Sequence, residues 1–90
     1  MEFVELINKA IKEISVELEK DEKKIFSNRY LRMISYLEKL SIAFQNDKLN
    51  RNNICLSVVR MVDHGDSENV KDAVSAVNHY YQDNIYEDNQ

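Results

Sequence analysis

The chain has 90 residues, with 12 Lys and Arg against 16 Asp and Glu for a net charge of −4, one glycine, one cysteine, and neither proline nor tryptophan. A chain of this length makes one small domain. One glycine cannot furnish the positive-φ positions that phosphate-cradling loops and multi-hairpin β folds demand. A single cysteine excludes an intrachain disulfide framework and a thiolate zinc site and fits a reducing compartment.

No apolar run approaches the ~18 residues of a membrane span, and no basic-then-apolar start marks a signal peptide. The expectation is one soluble, intracellular, all-α domain over 1–90. Charge is uneven along it: residues 1–60 carry 11 basic and 9 acidic side chains, whereas 61–90 carry Lys71 against seven acids. An acidic end is a poor ligand for phosphate, because nucleic-acid affinity comes largely from Lys and Arg displacing counterions. It keeps the chain soluble or faces a basic protein surface.

The first 20 residues read as an amphipathic helix, with Phe3, Val4, Leu6, Ile7, Ala10, Ile11, Ile14 and Leu18 at helical spacing. Opposite charges at Glu5, Lys9 and Glu13 are placed for i,i+4 pairs along its wet side, each worth a few tenths of a kcal/mol. A charged run from Glu19 to Lys24 follows, either as more helix or as a solvated bend. Apolar periodicity resumes at Ile25, Phe26, Tyr30, Met33, Ile34, Leu37 and Leu40, so a second helix is expected at about Ser27–Leu40. Ser27 or Asn28 would cap it, and Ile42 and Phe44 would tuck beneath it.

Gln45-Asn46-Asp47-Lys48 is a turn signal. The run from Ile54 to Val62 is almost wholly apolar. Its Val and Ile content fits a buried strand, but with no partner strand in view it reads as a short buried helix, with Cys55 as a small core hydrophobe. Asp63-His64-Gly65-Asp66 is expected to turn, with Gly65 free to take positive φ. Ser67 would then cap a helix carrying Val70, Ala73, Val74, Val77, Tyr80 and Tyr81 to about Gln82, and residues 83–90 would add a turn through Ile85 and Tyr86 before fraying. The expected architecture is a small compact bundle of about five or six helices, its second half like a helix-turn-helix.

Catalytic and metal signatures are thin. His64 and His79 lie too far apart for a helical ligand pair, and His64 with Asp63 and Asp66 is more simply a turn than a metal site. Cys55 lacks a nearby base in sequence, and the carboxylates follow outer helical faces. The reading is a non-enzyme without cofactor or metal. Direct DNA reading is disfavoured too, since a helix near 67–82 would present Asp66, Glu68 and Asp72 where a recognition helix needs positive charge.

The first helix bears more large apolar side chains than so small a domain readily covers. Part of its face must pack on residues 30–44 and 54–62. The rest either packs inward as well or leaves a contiguous patch around Leu6, Ile7, Ile11, Ile14 and Leu18 for another chain.

Three segments carry a resemblance. Asn28-Arg29, Tyr36-Leu37-Glu38-Lys39-Leu40 and Lys48-Leu49-Asn50-Arg51-Asn52 follow, in order and nearly in spacing, segments of the AsiA anti-sigma factors of T-even-type bacteriophages, a family of similar length that is helical, acidic and nearly free of proline. The chain resembles that family most firmly from about 25 to 60. The resemblance implies an anti-sigma protein that binds region 4 of the host RNA polymerase primary sigma factor in the cytoplasm of the infected bacterium and blocks −35 promoter recognition. With a phage transcription activator it would help redirect polymerase to phage middle promoters. It also implies a homodimer when free, formed through the sigma-binding face.

Carried over by position, that face comprises Ile11, Ile14, Leu18 and Lys20 with Tyr36 and Leu40, and Ile7 joins by periodicity. Asp21 stands where the family has an interfacial aromatic, which leaves Ile25 or Phe26 to replace it. The rival from another class is a small acidic immunity protein or antitoxin that neutralises a toxin through Asp83, Glu87 and Asp88, with the first helix as ordinary core.

Overall fold

The computed structural model describes residues 2–87. Among them the chain forms helix α1 (Glu2–Lys20), helix α2 (Ser27–Gln45), a 3-10 turn (Ser57–Met61) and helix α3 (Glu68–Asn84), with no strand. The fold is all-α. The expected five or six helices reduce to three α-helices and the 3-10 turn, and the helix-turn-helix-like second half is absent because only one α-helix follows residue 45.

Each helix contributes one buried stripe. Phe3, Ile7, Ala10 and Ile14 of α1 recur at steps of four and three, as do Tyr30, Met33, Leu37 and Leu40 of α2 and Val70, Ala73, Val74, Val77 and Tyr81 of α3. α1 lies against both α2 and α3, and the 3-10 turn bridges those two through buried Val58. At one end the Phe3 ring joins the helices, edge-on to Phe44 at 4.9 Å and stacked on Tyr80 at 5.6 Å. A helix enclosed on two sides buries a wide stripe, which is why α1 absorbs so much of its own apolar surface.

The bend between α1 and α2 is organised by a residue the sequence does not single out as a cap. Asp21 Oδ1 accepts from the Ile25 N–H (3.1 Å), and its Oδ2 accepts from the Phe26 N–H (2.8 Å) and the Ser27 hydroxyl (3.0 Å). Neither Ser27 nor Asn28 caps α2; its N-cap is Phe26, which makes no side-chain cap bond. A carboxylate reaching forward from position 21 satisfies amides at the helix start and leaves Ser27 as a donor to it.

α2 runs five residues beyond the expected end at Leu40. It stops in a Schellman closure: Lys48 N–H donates to Ala43 C=O (2.8 Å) and Asp47 N–H to Phe44 C=O (3.2 Å), with Asp47 at φ 55°. Because the helix continues, Ile42 points outward and is exposed, while Phe44 reaches the core edge.

The apolar run 54–62 is the largest departure from expectation. Ile54 is 65% exposed and Cys55 is exposed, so neither is core. The backbone from Asn50 to Leu56 is instead held by one face of α3. Asn78 Oδ1 accepts from Leu56 N–H (3.0 Å), the Tyr81 hydroxyl donates to Asn53 C=O (2.7 Å), and Gln82 Nε2 donates to Ile54 C=O (3.0 Å). Residues 78, 81 and 82 share a helix face, and their polar ends give the strand-like segment the backbone partners that a helix would otherwise supply. Leu56 and Val58 then insert fully, and Met61 and Val62 pack against the core's edge. Gly65 does not take positive φ, whereas the Ser67 hydroxyl does cap α3, accepting from Val70 N–H at 3.2 Å. Residues 88–90 of the expected frayed end lie outside the described residues.

Candidate partner-binding face

The seven residues assigned to a partner face do not form one open patch. Ile7, Ile14 and Leu40 are enclosed in the intramolecular core; Ile11, Leu18 and Tyr36 are half-buried against it; Lys20 is exposed, with Glu17 3.9 Å away. The expectation of a contiguous exposed patch through Ile7 and Ile14 is therefore corrected: α2 and α3 together cover that line of α1. Ile11, Leu18, Lys20 and Tyr36 stay at least partly reachable, but not as one face: Lys20 stands nine residues, about 180° round α1, from Ile11. Tyr36 is oriented by its hydroxyl, which accepts from Ser57 N–H at 3.1 Å.

At the end of the molecule where α2 and α3 begin, one polar cluster fixes the arrangement. The Arg29 guanidinium grips Asp66 with two bonds, Nη1 to Oδ2 at 2.7 Å and Nη2 to Oδ1 at 2.6 Å, and Nη1 also donates to Met61 C=O at 2.9 Å. The Asp66 side chain is only 1% exposed. Its oxygens take two further donors, the Asp63 N–H (2.9 Å) and the Tyr30 hydroxyl (3.3 Å). The guanidinium also lies over the Tyr30 ring at 4.8 Å and the Phe26 ring at 5.7 Å.

Burial by itself pushes the Asp66 carboxyl up; the Arg29 bonds, the Asp63 amide, the Arg29 charge and the Tyr30 hydroxyl outweigh it and hold the carboxyl below its ordinary range. Burial, followed by the Asp66 charge, raises the Tyr30 phenol. Asp66 is thus committed to Arg29 and turned away from His64, which is exposed. Among the described residues no three His, Cys, Asp or Glu side chains gather in a metal-holding group, and no helix is long and apolar enough to cross a membrane.

Surface apolar side chains sit elsewhere than expected. Ile25 and Phe26, the two candidates to replace the missing aromatic at 21, are 68% and 46% exposed. Leu31 and Ile42 of α2 are also exposed. Ile42 was expected beneath α2 and Leu31 was unassigned; neither falls on the Tyr30-Met33-Leu37-Leu40 stripe, so both face away from it. The acidic surface is a row on and just beyond α3, where Glu68, Asp72, Asp83 and Glu87 are exposed. Glu87 is held near the 46–56 loop by its N–H bond to Arg51 C=O at 2.7 Å.

Compared with known protein families, with curated proteins and with solved structures, the chain matches none.

Proposed function

We propose that this chain is a phage anti-sigma factor that binds region 4 of the host primary sigma factor within RNA polymerase and blocks −35 recognition in the cytoplasm of the infected cell. In this reading it also helps an activator redirect transcription to phage middle promoters, and it forms a homodimer when free. The observation that carries the reading is the ordered set Asn28-Arg29, Tyr36–Leu40 and Lys48–Asn52, with its resemblance to the AsiA family. These segments fall on α2 and the loop that leaves it. An all-helical molecule with exposed acids along α3 also complements a basic, helical DNA-reading domain.

The contact surface in this proposal draws on Ile11, Leu18, Lys20 and Tyr36, with Ile7, Ile14 and Leu40 behind them in the core, and on the exposed Ile25 and Phe26. A sigma factor truncated before region 4 is expected to lose the chain in a pull-down that the full-length factor passes. Ile25→Ser, at an exposed apolar site, is expected to weaken capture about tenfold without loss of helix.

The exposed acids Asp83 and Glu87 favour a second reading, a toxin-neutralising immunity protein or antitoxin. Charge reversal at those two positions separates the readings: toxin neutralisation would fail, and sigma capture through α1 would survive.

A further inference from the structure

Four consecutive residues, 24 to 27, donate to Asp21. Its backbone carbonyl accepts from the Lys24 N–H at 3.0 Å. Its carboxylate accepts from the Ile25 N–H, the Phe26 N–H and the Ser27 hydroxyl at 3.1, 2.8 and 3.0 Å. One residue therefore fixes the chain from the turn after α1 to the first residue of α2. It does so with Lys24 at φ 55°, a left-handed conformation that persists in a residue with a Cβ only where surrounding bonds impose it.

The segment so held is not core. Ile25 and Phe26 are the only sequence neighbours among the exposed large hydrophobics of the described residues. The Phe26 ring is restrained again from the other side, where the Arg29 guanidinium, itself fixed by Asp66, lies over it at 5.7 Å. Ordering Ile25 outward buries nothing, so the core does not account for the order of the bend. Helix capping does not account for it either. An ordinary cap accepts from the second or third amide of its helix, here Asn28 or Arg29, whereas the Asp21 carboxylate takes the amides of Ile25 and Phe26. Both of its oxygens are engaged within the bend, so Asp21 serves a partner through its neighbours. A rigid apolar pair binds tighter than a mobile one, because the cost of ordering it is met before the partner arrives.

We propose, on the sigma-binding reading, that Asp21 is a positioning residue: its carboxylate preorganises the 21–26 bend so that Ile25 and Phe26 stand ready for region 4 of the sigma factor.

The test uses the full chain, isolated sigma region 4 and titration calorimetry. Asp21→Ala is expected to weaken binding about tenfold. Ile25→Ser/Phe26→Ser is expected to weaken it at least as much. Adding Asp21→Ala to that pair is expected to cost less than about twofold more, because nothing is then left to position. In the free chain, amide exchange at Ile25 and Phe26 should quicken about tenfold in Asp21→Ala, while Met33 and Leu37 in the middle of α2 stay protected. An Asp21→Ala chain that binds like the parent overturns the inference, and so does unchanged exchange at 25 and 26. An equal cost in both backgrounds, or lost protection at Met33 and Leu37, overturns it too, since Asp21 would then touch the partner itself or act through general stability. Each of these leaves the sigma reading standing; a parent chain that fails to bind region 4 overturns that reading and this inference together.

Discussion

Asp66 has a demanding environment: a carboxylate almost wholly out of water, stabilised by a bidentate guanidinium, an amide and a phenol. Removing one partner strands the other. Arg29→Met is expected to lower stability by about 3–5 kcal/mol in denaturant titration, a large share of what a domain of this size has. Its carboxyl is held below its unfolded value of 3.8, so the pair's contribution is complete above that pH. It is lost as pH falls through the lowered folded value. The urea midpoint of the parent chain should therefore drop on acidification below pH ~4 more steeply than that of Asp66→Asn, which carries no titrating group there.

None of this cluster was legible in the sequence. Arg29 and Asp66 are 37 positions apart, and a buried acid looks like any surface acid until the fold brings its base. Ile14 illustrates the opposite case, where helical spacing identified an apolar face but not which part of it another chain could reach. Ile14 is enclosed, so Ile14→Asp should unfold the protein outright, seen as loss of far-UV dichroism, whereas Lys20→Glu should leave the spectrum intact.

The ends of the helices show how local chemistry and tertiary recruitment divide the work. The Ser67 cap and the turn at Asn46–Asp47 follow from residue type alone, and both were readable. The chain's glycine, by contrast, is not where the backbone demands one. Gly65 has no positive φ, and a Cβ there meets only Asp63 Oδ2 at 3.4 Å, while Asp47 occupies the left-handed closure of α2 at φ 55°. Gly65→Ala is expected to stabilise by about 0.4–1 kcal/mol through the unfolded chain. Asp47→Gly is expected to raise the melting temperature as well, by relieving a left-handed residue whose surface pair with Arg51 is worth little.

Of the 54–62 run, Ser57–Met61 is helical as a 3-10 turn with Val58 buried, whereas 54–56 is extended with Ile54 and Cys55 exposed, because hydrophobicity is local information and partners are not. Asn78, Tyr81 and Gln82 hold that backbone from across the fold. Asn78→Ala leaves the Leu56 amide without its acceptor, and should raise hydrogen exchange through the 50–56 loop while α1 and α2 stay protected.

At the scale of the whole molecule, 46 × 24 × 19 Å in extent, the three helices expose surfaces of different character. α3 and the segment after it expose acids; α2 exposes Leu31 and Ile42 beside Arg32 and Lys39; and α1 keeps most of its apolar face for the core. The all-α class was legible from the scarcity of glycine and proline and from three periodic stripes. The number of helices was not, because counting apolar runs cannot tell a helix from an extended segment pinned by side chains. The distribution of surface apolar residues likewise emerges only once α1 is seen to be covered on two sides.

In the proposed function the molecule grips region 4 of a sigma factor. The most direct measurement is calorimetric titration of the purified chain into an isolated sigma region 4, with region 2 of the same factor as the control. Saturable binding to region 4 alone is expected, weakened about tenfold by Ile25→Ser. Absence of binding to region 4, or equal binding to region 2, would contradict it.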